Sequence, residues 1–146
     1  MGLDMYLTRK TFIPNTNYKI IAMQNNKPAP IKTNKIIYIE EDLHTWRKAN
    51  QIHNWFVKHC QNNDDDCKPY SIDHEQLQEL LDTINKVLND HTLAEQLLPT
   101  TEGFFFGSTD YDKNYYSDLQ ETKEKLEEIL KEPNITAAEI YYQSSW

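Results

Sequence analysis

The first forty positions read as strands, alternating at their start and then forming short apolar runs, and the period afterwards turns helical. Leu3, Met5 and Leu7 fall on one side of an extended chain, as one buried sheet face requires. Tyr18 to Met23 and Lys35 to Ile39 are short runs rich in β-branched residues. Between them Gln24 to Asn34 carries an Asn-Asn pair and two prolines, which is turn and loop chemistry. An antiparallel meander is predicted here. From about Glu41 to Cys60, the residues Leu43, Trp46, Ala49, Phe56, Val57 and Cys60 share one side of a 3.6-residue wheel, so a first helix is expected.

The second helix has the clearest pattern. Leu77, Leu80, Leu81, Ile84, Val87 and Leu88 form an unbroken stripe, and Asp73 with Gln76 makes a capping box at its start. A short helical piece, Thr92 to Leu98, should stop at Pro99. A third long helix is predicted from about Asp112 to Lys131, with Tyr115, Leu119, Thr122, Leu126, Ile129 and Leu130 on one face and Pro133 ending it. Before it, Gly103 to Gly107 reads as a brief buried strand of three phenylalanines. After it, Ala138 to Trp146 alternates like a closing strand. The expected architecture is α+β, a small antiparallel sheet with three main helices packed on one face, in a single domain over residues 1–146.

Composition narrows this picture little but usefully. Hydrophobic residues make up 38% and mean hydropathy is −0.79, so the surface is wet. Aromatic residues at 12% nevertheless favour a packed domain over a disordered chain. The formal charge of −8 speaks against a nucleic-acid groove, since such grooves need Lys and Arg facing phosphates. No apolar run is long enough to span a membrane, and the first residues lack the basic and apolar regions of a signal peptide. Two cysteines, Cys60 and Cys67, do not make a disulfide framework. A cytoplasmic protein with reduced thiols is expected.

Candidate chemistry concentrates on the first helix. On its wheel Asn50 lies about 40° from Trp46 and His53 about 20° on the other side. Both polar side chains therefore point inward, where each needs a partner. One reading is a satisfied core. The other is a cleft in which Trp46 offers a flat face, Asn50 and His53 offer donors and acceptors, and Arg47 and Asn54 flank them. Trp55 projects away from the stripe and is either covered or exposed as a partner-binding anchor. Nine of the seventeen aromatics lie between Phe104 and Trp146. From this last third Phe105, Ser108, Thr109, Tyr115, Gln143 and Trp146 join the expected ligand-binding set. The Gly107-Ser108-Thr109-Asp110 entry to a helix lacks the lysine of a P-loop, and Ser108 or Asp110 is equally a simple cap. The His and Cys spacings fit no zinc site, and no catalytic motif or cofactor fingerprint is present. No cofactor, metal or catalytic residue is expected.

The start Met1-Gly2-Leu3-Asp4-Met5-Tyr6-Leu7 and the segment Trp46-Arg47-Lys48-Ala49-Asn50-Gln51-Ile52-His53-Asn54-Trp55-Phe56 resemble a family of uncharacterised small bacteriophage and prophage proteins. The stretch from Leu97-Leu98-Pro99 through Gly103-Phe104-Phe105-Phe106-Gly107-Ser108-Thr109 and the ending Tyr141-Tyr142-Gln143-Ser144-Ser145-Trp146 extend that resemblance over nearly the whole chain. Ile13 to Asn34 diverges from it. The resemblance carries no functional residues; it implies a viral setting in the cytoplasm of a bacterial host. Together these features lead to the expectation of a non-enzymatic, phage-encoded counter-defence protein that sequesters a small nucleotide-like signalling molecule. The alternatives are a protein–protein inhibitor of a host defence protein, using Trp55, and a nucleotide-processing enzyme. A homodimer is the default assembly.

Overall fold

In the computed structural model, which describes residues 2–13, 19–133 and 139–146, one sheet is assembled from both ends of the chain. Strand β1 (Asp4–Phe12) is followed by two-residue strands β2 (Met23–Gln24) and β3 (Lys27–Pro28), which form a tiny hairpin of their own. Then come β4 (Tyr38–Arg47), helix α1 (Asn50–Cys60), β5 (Tyr70–Ile72), α2 (His74–Asn89), the single turn α3 (Ala94–Leu97), α4 (Lys113–Leu130) and β6 (Glu139–Ser145). The four-stranded sheet has the order β4-β1-β6-β5 and is antiparallel throughout. The C-terminal strand is thus an inner strand, hydrogen-bonded to β1 on one side and β5 on the other. The α+β architecture is as the sequence predicts.

Alternation sorts the strands into two faces. Met5 and Leu7 of β1, Trp46 of β4, Ile72 of β5, and Ile140 and Tyr142 of β6 are buried and point towards the helices. Helix α1 lies against this face, with Phe56 stacked on Tyr142 at 3.9 Å between ring centroids. Helices α2 and α4 complete the core with Leu77, Leu80, Ile84, Leu119 and Leu126. The opposite sheet face presents Tyr6, Thr8, Lys10, Tyr141 and Gln143, all exposed or half-buried.

Local signals set α2 and α4. The Asp73 side chain accepts from the Gln76 backbone N–H at 2.7 Å, while the Gln76 side chain accepts from the Asp73 N–H at 3.0 Å. Asp112, rather than Ser108 or Asp110, caps α4 by accepting from the Tyr115 N–H.

Three expectations are corrected. Residues 41–47 are strand, not helix, because they pair with β1 from Asp4↔Arg47 to Phe12↔Tyr38. A register shift opposite Leu7/Thr8 leaves Leu43 as an extra residue, which lets Leu43 and Trp46 mimic helical spacing. The chain then breaks at Lys48, in the left-handed region at φ 59°, before α1 begins. Second, Gly103 to Gly107 is a turn, not a buried strand: Phe104 and Phe105 are exposed and only Phe106 is inside. A Cβ on Gly103 would stand 2.5 Å from the Phe106 ring, and Gly107 has φ +90°, so both glycines are needed for that turn. Third, Lys19 to Ala22 form no strand, and the Lys35–Ile39 run enters β4 only at Tyr38. Tyr18 and Ala138, at the edges of two predicted strands, lie outside the described residues.

Candidate functional site

Helix α1 is buried nearly all round, so its polar residues must find protein partners. Asn50 donates to the carbonyls of Phe106 (3.1 Å) and Ser108 (2.8 Å) and accepts from the Thr101 N–H (3.0 Å). Gln51 donates to the Tyr115 carbonyl and to Asp118, both at 3.3 Å. Asn54 donates to the Pro99 carbonyl at 3.0 Å. The segment between α3 and α4 has few backbone–backbone hydrogen bonds of its own, and these side chains supply partners that it lacks.

His53 holds a different part of the molecule. Its Nε2 lies 2.9 Å from Asp65 Oδ2 and its Nδ1 lies 2.7 Å from the Tyr142 hydroxyl. A carboxylate only accepts, so Nε2 carries a proton; in the neutral ring the Tyr142 O–H then donates to Nδ1. Asp65 Oδ1 accepts in turn from the Trp146 indole N–H at 3.1 Å. Tyr142 is completely buried, and burial, assisted by the Asp65 charge, pushes its hydroxyl well above the usual tyrosine pKa. The Tyr142 end of this hydrogen-bonded chain therefore lies inside the core, while its Asp65 end is partly exposed.

These bonds decide which expected ligand contacts are available. Trp46 is 5% exposed and its indole N–H donates to Thr122 Oγ1 at 2.8 Å, so it presents no face to a cleft. Asn50 and His53, each 1% exposed, have spent their polar atoms on the protein, as the satisfied-core reading requires. Trp55 is 3% exposed and stacks on His59 at 4.6 Å between centroids, so it is no surface anchor. The wheel that placed it outward omitted the elements packed around α1.

The other expected residues divide among separate surfaces. Asn54 and Trp146, with the edges of His53 and Asp65, line a cleft of about 400 Å³ together with Val57, Thr101, Glu102, Phe104 and Phe106. Arg47, Ser108 and Tyr115 line a second cleft of about 330 Å³, beside Lys48, Asp110, Asp112 and Asp118. There Tyr115 is itself buried and donates to the Leu98 carbonyl, and Ser108 Oγ accepts from the Asp110 N–H. Burial holds the Asp118 carboxyl above its ordinary range, the Gln51 hydrogen bond opposing that shift. Gln143 lies on the open sheet face and donates to the Cys67 carbonyl. Thr109 only accepts, through its carbonyl, from Thr100 Oγ1. Phe105 is exposed in left-handed backbone and lines neither cleft.

Phe104, Asp65 and Glu102 are the main cleft residues that sequence reasoning missed, with Val57, Thr101 and Phe106 beside them. A strand predicted for Gly103–Gly107 had placed Phe104 inside, whereas a turn puts it outside. The only signal was the pair of glycines bracketing three rings. A larger groove of about 710 Å³ runs along α1 and α2, but long charged side chains such as Lys58, Glu79 and Lys86 form its walls. The 400 Å³ cleft is the better candidate, because its rings are exposed and one of them, Trp146, is fixed by Asp65. Among the described residues no three His, Cys, Asp or Glu side chains converge as metal ligands. Cys60 and Cys67 are free thiols, and burial pushes the Cys60 thiol up to about 12. No helix is long and apolar enough to cross a membrane among the described residues. No protein-family model, curated protein or solved structure matches the chain.

Proposed function

We propose that the protein is a non-catalytic binder of a small, nucleotide-like molecule, taken up by its ring system in the cleft at Phe104 and Trp146. One observation carries this reading: two large rings, 67% and 49% exposed, line a cleft of small-molecule size. Exposed aromatics next to polar groups suit flat ligands, and stacking contributes about 1–3 kcal/mol per base. The polar lining is selective. Asp65 and Glu102 accept hydrogen bonds, and no Lys or Arg lines the cleft. An amino-bearing ring edge fits there, while phosphate is repelled and stays outside. In the phage setting that the sequence resemblance implies, holding such a molecule without converting it amounts to sequestration of a host signal. The Tyr142 hydroxyl is sealed in the core and away from the cleft, which favours binding over catalysis at that group.

The test is native mass spectrometry of protein purified from a phage-challenged host, with release of any bound molecule by denaturation. An unmodified ring-bearing molecule in stoichiometric amount, lost in Trp146→Ala, is the expected result. An empty wild-type protein that also shows no Trp146 fluorescence response to a nucleoside panel would sink the reading. Turnover of the released molecule would move it to the enzyme alternative.

A further inference from the structure

From Thr11 to Ile39 the chain contains Lys19, Lys27, Lys32 and Lys35 and no Asp or Glu, although the whole chain has 23 carboxylates. All four lysines are exposed. The same stretch, from Phe12 to Ile39, holds seven of the eleven exposed large apolar side chains among the described residues, with Ile21 the most exposed at 70%. Among its described residues, regular structure amounts to the β2–β3 hairpin, one 3₁₀ turn at Thr33–Lys35, and the outer ends of β1 and β4. Scattered apolar residues on a surface are ordinary, but such a concentration marks an interaction surface.

The complementary surface is on the same molecule. The open face of the sheet carries a groove of about 610 Å³ whose lining includes Tyr6, Lys10, Glu40, Asp42 and Tyr141. In register with Lys10 stands Glu139, another outward acid on the same face. Lys10 is the one cation of the groove, and its Nζ sits over the Tyr38 ring at 4.4 Å. The groove is therefore acidic, with two tyrosine rings to receive apolar side chains. Among the described residues both surfaces stay exposed within one chain.

We propose that the protein pairs with a second copy of itself, the lysine-bearing apolar arm of each chain docking in the acidic, tyrosine-lined groove of the other. Two equivalent contacts of this kind close a two-fold dimer. Aliphatic side chains such as Ile21, Ile31 and Ile37 give nothing to bases or phosphates, which disfavours a nucleic acid. An anionic membrane would attract the four lysines, but the rest of the chain, eleven cations against all 23 carboxylates, would be repelled by it. This inference is independent of the cleft at Phe104 and Trp146.

A charge exchange tests it. Sedimentation velocity of the full chain from low to high micromolar concentration should show a dimer that weakens as salt rises. An arm-reversed variant (Lys27→Glu, Lys32→Glu, Lys35→Glu) and a groove-reversed variant (Glu40→Lys, Asp42→Lys) should each sediment as monomers, with circular dichroism unchanged. Mixed in equal amounts, they should recover a heterodimer, because both arm–groove contacts are again complementary. A wild type that stays monomeric, a dimer that survives arm reversal, or a mixture that fails to assemble overturns the proposal. So does a monomer that binds phosphatidylglycerol vesicles but not phosphatidylcholine ones, which assigns the arm to a membrane.

Discussion

Helix α1 and the arm between Phe12 and Ile39 invert the usual distribution of residues. The helix buries Asn50, Gln51 and His53, while the arm exposes Ile21, Met23, Ile31 and Ile37. What differs between them is the supply of partners. Around α1 lie backbone groups with no partner of their own, the carbonyls of Pro99, Phe106 and Ser108 and the Thr101 N–H, so each buried polar side chain recovers the hydrogen bonds lost with water. Around the arm the two-residue strands β2 and β3 offer no layer on which isoleucines can pack. Burial here follows the availability of partners more than residue type.

Removing a hydrogen-bonding side chain from α1 should have the largest effect. Asn50→Ala leaves two carbonyls and one N–H without their bonds, and is expected to cost about 2–4 kcal/mol in urea denaturation. A loss well under 1 kcal/mol would show that the Thr101–Ser108 segment is held by something else. Next come Tyr142→Phe and His53→Leu, each expected to cost about 1–3 kcal/mol by leaving a buried polar atom unpaired. Their double mutant should cost less than the sum, because both remove the same bond. Additive losses would deny that the pair acts as one unit.

At the surface the same kinds of change should spare stability and remove binding. Trp146→Ala and Phe104→Ala are each expected to shift stability by less than about 1 kcal/mol, while ring-ligand affinity falls about tenfold, as loss of one stacking contact implies. Calorimetry with the molecule released from the wild type reads the second effect. In the arm, Ile21→Ser with Ile31→Ser should stay within about 0.5 kcal/mol of wild type. Only the concentration dependence of sedimentation should change.

The smallest effect concerns pH. His44 packs edge-on against Trp46 at 4.5 Å, with its Nε2 buried and unpartnered. Burial holds its imidazole below the ordinary 6.5; Glu121 and Asp42 oppose this shift and Lys125 adds to it. Between the two values the unfolded chain takes up a proton that the folded chain refuses. Stability is therefore full above 6.5 and declines as pH falls from there towards the depressed value. In thermal melts across that interval, His44→Phe should flatten part of the slope; an unchanged slope would remove His44 as its source.

The elements legible in the sequence were those fixed by neighbours in sequence. Helix α2 declares itself through its leucine stripe and the Asp73–Gln76 box, and α4 through its own stripe and Pro133, because capping and i, i+4 spacing act over a few residues. The inward direction of Asn50 and His53 was legible too, since it needs only the helical period. Residues 41–47 were not, because nothing local distinguishes Leu43-His44-Thr45-Trp46 in a bulged strand from a helical turn; the decision lies in pairing with β1, nearly forty positions away.

Local residue pattern was enough for the α+β class, the two long helices, the Asp73–Gln76 cap of α2 and the inner face of β1. Tertiary structure alone decided that Asn50 and His53 are occupied, that Trp55 is covered, and that Phe104 stands outside with Trp146 on one cleft. A period gives a direction, whereas partners and covering surfaces can come from distant parts of the chain, as Phe106 does for Asn50 and Tyr142 for His53.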